Sequence, residues 1–372
     1  MSALDLLSGD AQTFLTKVWA SRVHLHQGDA ERLTDLFSLD DADHLLTSTA
    51  IRTPQVRLAQ DGGVLPESSY TRGATLAGRQ LTGLVDCRKL LALFDAGATV
   101  VFQGMHRYWP PLAELVAELE LDLGHPCQAN AYLTPPGSQG FAVHADSHDV
   151  FVFQTHGTKR WEVHSDGEVD HVRLEPGLSM YLPTGTPHAA RAQDRASLHV
   201  TIGVNQLTWR TLVRRAVDAA MDRVDDGHLP AGYLDDPSAL AEGLGEHLAA
   251  LADALRGTDP DAIAGEQVER FLSGRQSQLR GGLKDVLQVR SLDDDTVLRR
   301  RTGSPCVLVD RGDTLRVLLG DRWLDVPARL RPALEKIRAR TDLTPADLPL
   351  DEQSRLVLCR RLVREGLLEV RG

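Results

Sequence analysis

His144 and Asp146 stand one residue apart, and His188 follows 42 residues after the aspartate at the end of the run Gly177-x5-Pro183-x-Gly185-x2-His188. Two imidazoles and one carboxylate make one face of a metal ion and leave about three coordination positions open, the arrangement of non-haem Fe(II) oxygenases. Along an extended strand successive side chains alternate faces. A strand from Phe141 to Asp146 would therefore turn His144 and Asp146 to one side and Ala145 to the other. A distant stretch must deliver the third ligand. Glu175-Pro176-Gly177 reads as a turn, Leu178 to Leu182 as a short strand, and Pro183 to Pro187 as a rigid loop presenting His188. The chain has 14 histidines, and any one of them is more often a packed or surface residue than a ligand. The glycine and proline frame of His188 is what sets this trio apart. His148 could share the inward face as an alternative ligand, while His156, His164 and His171 are weaker candidates.

The elements that must position these residues are β-rich. Gln128 to Leu133 reads as a strand, Thr134 to Gly137 as a loop, and Val150 to Gln154 as a strand with Lys159 to His164 as its hairpin partner. Ser197 to Val204 closes the set, with Leu198, Val200, Ile202 and Val204 alternating. Eight or so short antiparallel strands at this turn density predict a double-stranded β-helix, the cupin or jelly-roll barrel, with a metal sheltered in its mouth. Ahead of it, residues 1 to about 50 look helical and mixed. Ile51 to Leu58 alternates as a strand, Asp61 to Tyr70 is a loop, Asp86 to Asp95 a short helix and Thr99 to Gln103 a buried strand. Pro110 to Leu121 is a helix whose Leu112, Leu115, Val116 and Leu119 form a core-facing stripe.

After Asn205 the pattern turns helical over Trp209 to Val224, Ser238 to Leu255 and Asp261 to Leu279. These helices are too few to build a core of their own, so they pack on another copy of the chain or form a monomeric lid. From about 292 a small domain follows. Pro305 to Val309, Thr314 to Leu319 and Arg322 to Val326 read as strands, Arg329 to Arg340 and Asp351 to Glu365 as helices. The ending Leu362-Val-Arg-Glu-Gly-Leu-Leu-Glu-Val370 is the helix, glycine turn and strand of a winged helix. The expected division is a catalytic domain over 1–206 with its barrel core at about 97–206, a helical dimerisation region over 207–291 and a winged-helix-like domain over 292–372.

At 372 residues the chain has room for two or three domains, and its 42% hydrophobic and 25% charged content is ordinary for a globular protein. A net charge of -11 argues against coating nucleic acid. Within Arg329 to Gly372, ten Lys or Arg face seven Asp or Glu, a thin surplus for a DNA-reading winged helix. Cys87, Cys127, Cys306 and Cys359 form no Cys-x-x-Cys pair, so no zinc ribbon or disulfide scaffold is indicated. No stretch approaches the ~20 apolar residues of a membrane span and the first ten residues carry no basic apolar signal, so a cytoplasmic protein is expected.

The stretch from Gln128 to Val204 resembles the JmjC-type ribosomal oxygenases, cupin-like protein hydroxylases. The matching features are Asn130-x-Tyr132, His144-x-Asp146, Asp149-Val-Phe-x-x-Gln154, Lys159 ahead of Trp161, His188, and Ser-Leu-His-Val-Thr at 197–201. The resemblance implies that His144, Asp146 and His188 bind Fe(II), and that Lys159 grips the far carboxylate of 2-oxoglutarate, with Arg160 on the opposite strand face as its rival. Asn130 and Tyr132, sharing a face, would donate to the cosubstrate or shape the pocket. Of Thr201 and His199, only one is expected to face inward, and Thr201 is the one assigned to the cosubstrate. The resemblance further implies a homodimer, no membrane contact and a side chain of a ribosomal protein or other polypeptide as the target, hydroxylated with release of succinate and CO2. Three other readings stand beside it: a hydroxylase of a small-molecule or peptide natural product, a cupin that ignores 2-oxoglutarate, and a non-enzymatic winged-helix regulator. One departure is that many cupins carry an Asn four residues after the last His, where this chain has Ala192.

Overall fold

The computed structural model describes residues 2–138, 143–165, 167–191 and 195–371. By contacts the chain forms two compact units. One holds the chain up to Gln206 with Gln276–Pro305 and the stretch from Arg329 onward, the other Leu207–Arg275 with Cys306–Ala328.

In the first unit, helices α1 (Ala3–Ser8), α2 (Ala11–Lys17), α3 (Ala30–Thr34), α4 (Leu39–Ser48), α5 (Cys87–Asp95) and α6 (Pro110–Leu123) supply apolar faces for a large sheet. Ser2 and Ser38 open α1 and α4 with capping boxes, and Asp86 caps α5, each side-chain oxygen satisfying a backbone N–H that the first helical turn leaves open. The strands are β1 (His24–Gln27), β2 (Val56–Gln60), β3 (Gly63–Val64), β4 (Thr71–Leu76), β5 (Arg79–Val85), β6 (Thr99–Phe102), β7 (Cys127–Thr134), β8 (Asp149–His156), β9 (Lys159–Ser165), β10 (Glu168–Leu174), β11 (Leu178–Leu182), β12 (His188–Arg191) and β13 (Ser197–Val204).

Eight strands form the larger sheet in the order β1-β11-β8-β13-β7-β6-β2-β3, and β10-β9-β12 form a smaller one. Strand alternation sorts the residues. Ala129, Ala131 and Leu133 of β7, Phe151 and Phe153 of β8, and Leu198, Val200 and Ile202 of β13 join Phe14, Phe37, Leu112 and Leu119 in the main core beneath the helices. The opposite faces carry Asn130, Tyr132, His199 and Thr201, and these line a cavity. A second core, including Val150, Val152, Trp161, Val163, Met180 and Leu182, joins the two sheets, as the inner faces of a sandwich do. This is the cupin-like barrel expected from the strand pattern.

Four local expectations need correction. The strand expected over Phe141 to Asp146 is absent where it can be followed. Phe141 and Ala142, like Ala192, lie outside the described residues, and from Val143 to Asp146 the only ladder contact is a single bridge from His144 to His188. β9 is not the hairpin partner of β8. β8 pairs with β11 and β13 while β9 pairs with β10 and β12, so the chain changes sheets at the corner after His156. Gly157 makes that corner with φ of 63°, where a Cβ would fall 2.0 Å from the Ala196 carbonyl oxygen, so no side chain fits. The expected loop after Asp61 contains the short strand β3 and a 3-10 turn over Glu67–Ser69, and the β4–β5 hairpin beyond it was not anticipated.

After β13 come α7 (Trp209–Met221), α8 (Ser238–Arg256), α9 (Pro260–Phe271), α10 (Gly282–Gln288), β14 (Leu298–Arg300), β15 (Val307–Arg311), β16 (Thr314–Leu318), β17 (Trp323–Pro327), α11 (Arg331–Ala339), β18 (Asp342–Leu343), α12 (Glu352–Arg364) and β19 (Leu368–Val370). The fourth correction is that α9 ends at Phe271, not Leu279. The second unit holds α7 to α9 and the sheet β15-β16-β17. There Glu269 of α9 pairs with Arg311 and Arg316, and the Arg316 guanidinium lies 3.9 Å from the Trp323 ring centroid. In the first unit β18-β14-β19 form a small sheet next to α11 and α12. A buried Arg301–Asp285 ion pair ties that sheet to α10, with Asp285 also accepting from Val370 N at 2.9 Å.

Candidate metal centre

His144 and His188 face one another as an antiparallel pair that exchanges two backbone hydrogen bonds, His144 N to His188 O at 3.0 Å and His188 N to His144 O at 2.8 Å. Their rings lie 4.5 Å apart, centroid to centroid. The closeness of the two imidazoles thus comes from a cross-strand pairing. One ligand atom from each of His144, Asp146 and His188 lies within 4.8 Å of the others, and His188 Nε2 is 3.6 Å from Asp146 Oδ2. Donors bound to one ion at about 2.1 Å sit roughly 3 to 4 Å apart, so the trio fits a single cation with minor side-chain adjustment. His148 lines the same cavity but is not in this cluster.

The loop Pro183–Pro187 fixes His188. Its Gly185 N donates to the Asp146 carbonyl at 2.9 Å, and the Thr186 carbonyl lies 2.9 Å from His188 Nδ1. A carbonyl can only accept, so Nδ1 carries the proton and Nε2 presents its lone pair towards Asp146. Burial holds the His188 imidazole below its usual pKa, helped by His144 and opposed by the Thr186 carbonyl and Asp146. The neutral ring is the form that ligates. His188 is buried, Asp146 half-buried and His144 exposed, so the face the trio presents is reachable from outside.

Behind it the cavity, of about 320 Å³, closes on Lys159. This side chain is 3% exposed and its Nζ donates to Thr134 Oγ1 at 3.2 Å, with Thr99 Oγ1 a further 3.2 Å from Thr134 Oγ1. No carboxylate among the described residues pairs with the ammonium, and burial pushes its pKa down to about 8. Arg160 is exposed, which removes it as a rival. An uncompensated buried cation at the end of a cavity is costly unless an anion joins it. Next to it His199 stacks on Tyr132 at 4.9 Å and meets Trp161 edge-on. Burial, and then Lys159, hold His199 well below its usual pKa. Among the described residues, buried His199 Nδ1 and Trp161 Nε1 have no hydrogen-bond partner, polar atoms that a ligand would satisfy.

Asn130 uses its Oδ1 to accept from Gly104 N at 3.0 Å, which leaves its amide N–H groups as donors. Burial raises the Tyr132 pKa, so the phenol stays protonated, and it shares side-chain hydrogen bonds with Thr201 and Arg57. His199 and Thr201 both line the cavity. The expectation that only one faces inward was wrong, because residues two apart on a strand share a face. Arg57, Gln60 and Asp61 of the β2–β3 hairpin also line it. Sequence reasoning missed them, since only the pairing of β2 with β6 brings them there.

Residues 112–212 match the family model described as JmjC domain. The chain is 33% identical over 256 residues to ribosomal oxygenase 1 of Rattus norvegicus, covering 60% of this chain and 41% of the relative. It is 30% identical over 233 residues to the bifunctional lysine-specific demethylase and histidyl-hydroxylase NO66 of Branchiostoma floridae, covering 60% and 37%. The chain thus spans about two fifths of the length of these relatives. Among solved structures, the Escherichia coli ribosomal oxygenase YcfD in complex with cobalt and 2-oxoglutarate shares the fold, with a TM-score of 0.55, 19% identity and coverage of 97% of this chain and 98% of that one. The chain carries a JmjC domain and is a homologue of the proteins named ribosomal oxygenase.

Proposed function

We propose that this protein is an Fe(II)- and 2-oxoglutarate-dependent oxygenase that hydroxylates a side chain of a ribosomal protein or another polypeptide. One observation carries the reading: an open face of two imidazoles and one carboxylate shares a cavity with a buried ammonium that has no acid beside it among the described residues. His144, Asp146 and His188 would hold Fe(II), and Lys159, with Thr134 beside it, would bind the far carboxylate of 2-oxoglutarate. Asn130 and Tyr132 supply donors along the cosubstrate, and Thr201 orients the Tyr132 phenol. When bound, the iron and keto acid together supply the oxidising chemistry that places one oxygen atom of O2 in a C–H bond, with succinate and CO2 released. The inward apolar wall of Val150, Val152 and Trp161 excludes water from that end. The exposure of His144 supports a large substrate approaching from outside, as a polypeptide must.

The helices α7 to α9 support a homodimer. α8 buries none of its residues, and Leu244 and Leu248 on it are 57% and 56% exposed, a stripe that a second copy would cover. Of the segment 292–372, the parts that lie in the first unit, with the helix, glycine turn and strand at α12 and β19, are proposed as a winged-helix-like docking region, whereas Cys306–Ala328 groups with α7 to α9. Among the described residues no helix is long and apolar enough to cross a membrane.

The test is succinate formation from 2-oxoglutarate with ribosomal-protein peptides, read together with mass spectrometry for one added oxygen atom. His144→Ala and Asp146→Ala should each abolish both signals. Full turnover in either variant would remove the metal centre. Oxygen gained by a free metabolite and by no peptide would move the substrate to the small-molecule class.

A further inference from the structure

Asp149 belongs to the Asp-Val-Phe-x-x-Gln motif, yet it does not line the cavity. By strand parity it shares a face of β8 with Phe151 and Phe153, which lie in the core on the far side of the sheet from the cavity. It is 2% exposed, and no Lys or Arg among the described residues pairs with it. Instead its carboxylate accepts three short hydrogen bonds. Tyr181 Oη donates to Oδ2 at 2.6 Å, and Thr184 donates twice to Oδ1, from its N–H at 2.8 Å and from Oγ1 at 2.6 Å. Tyr181 Oη in turn accepts from Ala20 N at 2.9 Å.

Thr184 lies in the loop that governs all three prospective ligands. The next residue, Gly185, donates to the Asp146 backbone, the Thr186 carbonyl accepts a hydrogen bond from Nδ1–H of His188, and His188 exchanges backbone bonds with His144. Pro183 and Pro187 restrict the loop at both ends. The Asp149 carboxylate is therefore the anchor joining this loop to β8 and β11, through charge-assisted bonds stronger than neutral ones.

We propose that Asp149 is a positioning residue for the metal centre: by holding Thr184 it fixes the Pro183–Pro187 loop, so that His188 stands opposite His144 and Asp146 before an ion arrives. This rests on the reading of the trio as a metal centre. Without the anchor, the loop would have to be ordered on metal binding, and affinity would fall by the ten- to hundredfold typical of residues that orient ligands (about 10–100).

Co(II) is the probe, followed through its ligand-field absorption in the whole 372-residue chain. Asp149→Ala, folded by circular dichroism, should bind Co(II) at least about tenfold more weakly than the unaltered chain and show a changed absorption envelope. Thr184 is exposed, so its replacement leaves the core intact. Thr184→Val should weaken Co(II) binding several-fold, and Thr184→Ser, which restores the hydroxyl, should return it to the starting value. If Asp149→Ala does not fold, the Thr184 pair decides. Equal affinity in Thr184→Val and Thr184→Ser, or in a folded Asp149→Ala and the unaltered chain, overturns the proposal while leaving the metal centre standing. Failure of the unaltered chain to bind Co(II) overturns both.

Discussion

Lys159 is charged only while its pKa, pushed down to about 8 by burial, exceeds the ambient pH. Burial, and then Lys159, hold the neighbouring His199 well below its usual pKa, so that ring is already neutral at pH 7. The ammonium is the form that attracts a carboxylate, so its binding energy is present below about pH 8 and lost as pH rises through that value. Affinity for 2-oxoglutarate should therefore drop about tenfold for each pH unit above about 8. Calorimetric titrations of the metal-loaded protein between about pH 7 and about pH 9.5 measure this directly. Lys159→Met should bind more weakly and show a flat profile over the same interval, whereas an unaltered protein with constant affinity would exclude the lysine from the cosubstrate site. At this scale the sequence was informative. The donor types of His144, Asp146 and His188, and the lysine ahead of Trp161, are chemistry that needs no coordinates to recognise. What could not be read was the tautomer of His188, which depends on a carbonyl two residues away, or the absence of an acid near Lys159, which depends on every strand around it.

At the scale of elements, the turn after β8 shows why local patterns mislead. His156-Gly157-Thr158 between two alternating runs has the same composition whether the chain doubles back as a hairpin or crosses to another sheet. The difference lies in what the partner strands already bond. β8 is flanked on both sides, by β11 and β13, so no edge remains for β9. Gly157→Ala should destabilise the barrel by about 1–3 kcal/mol from its left-handed φ alone, with more from the clash with Ala196. Thermal denaturation would show the loss, and an unchanged midpoint would mean that the corner can relax. The strands Leu178–Leu182 and Ser197–Val204 were legible to the residue because both faces and both ends are marked. The ladder around His144 was not, because a single bridge has no period to detect.

Across the whole molecule, the main core runs from Ala3 to Val204, while the JmjC match begins at residue 112. The helices under the sheet and the strands β2 and β6 that widen the cavity therefore come from sequence with no motif of its own. Pairings separated by that much chain leave little local trace. The second unit buries few of its side chains and leaves Trp209 82% exposed. Replacing Leu244 and Leu248 together by Glu should convert a dimer to monomers in sedimentation velocity, and a protein that is monomeric without the change would refute the proposed assembly. A last consequence belongs to the smaller sheet, which carries Lys159 and His188 together. His188 lies beside Val163 in the ladder, four residues along β9 from the lysine, an interval of about 13 Å. Covalent pleat geometry thus acts as a ruler. On the proposed reading, a keto acid one carbon shorter than 2-oxoglutarate should leave one end of that span unmet, and competition binding against 2-oxoglutarate would show it as the weaker ligand.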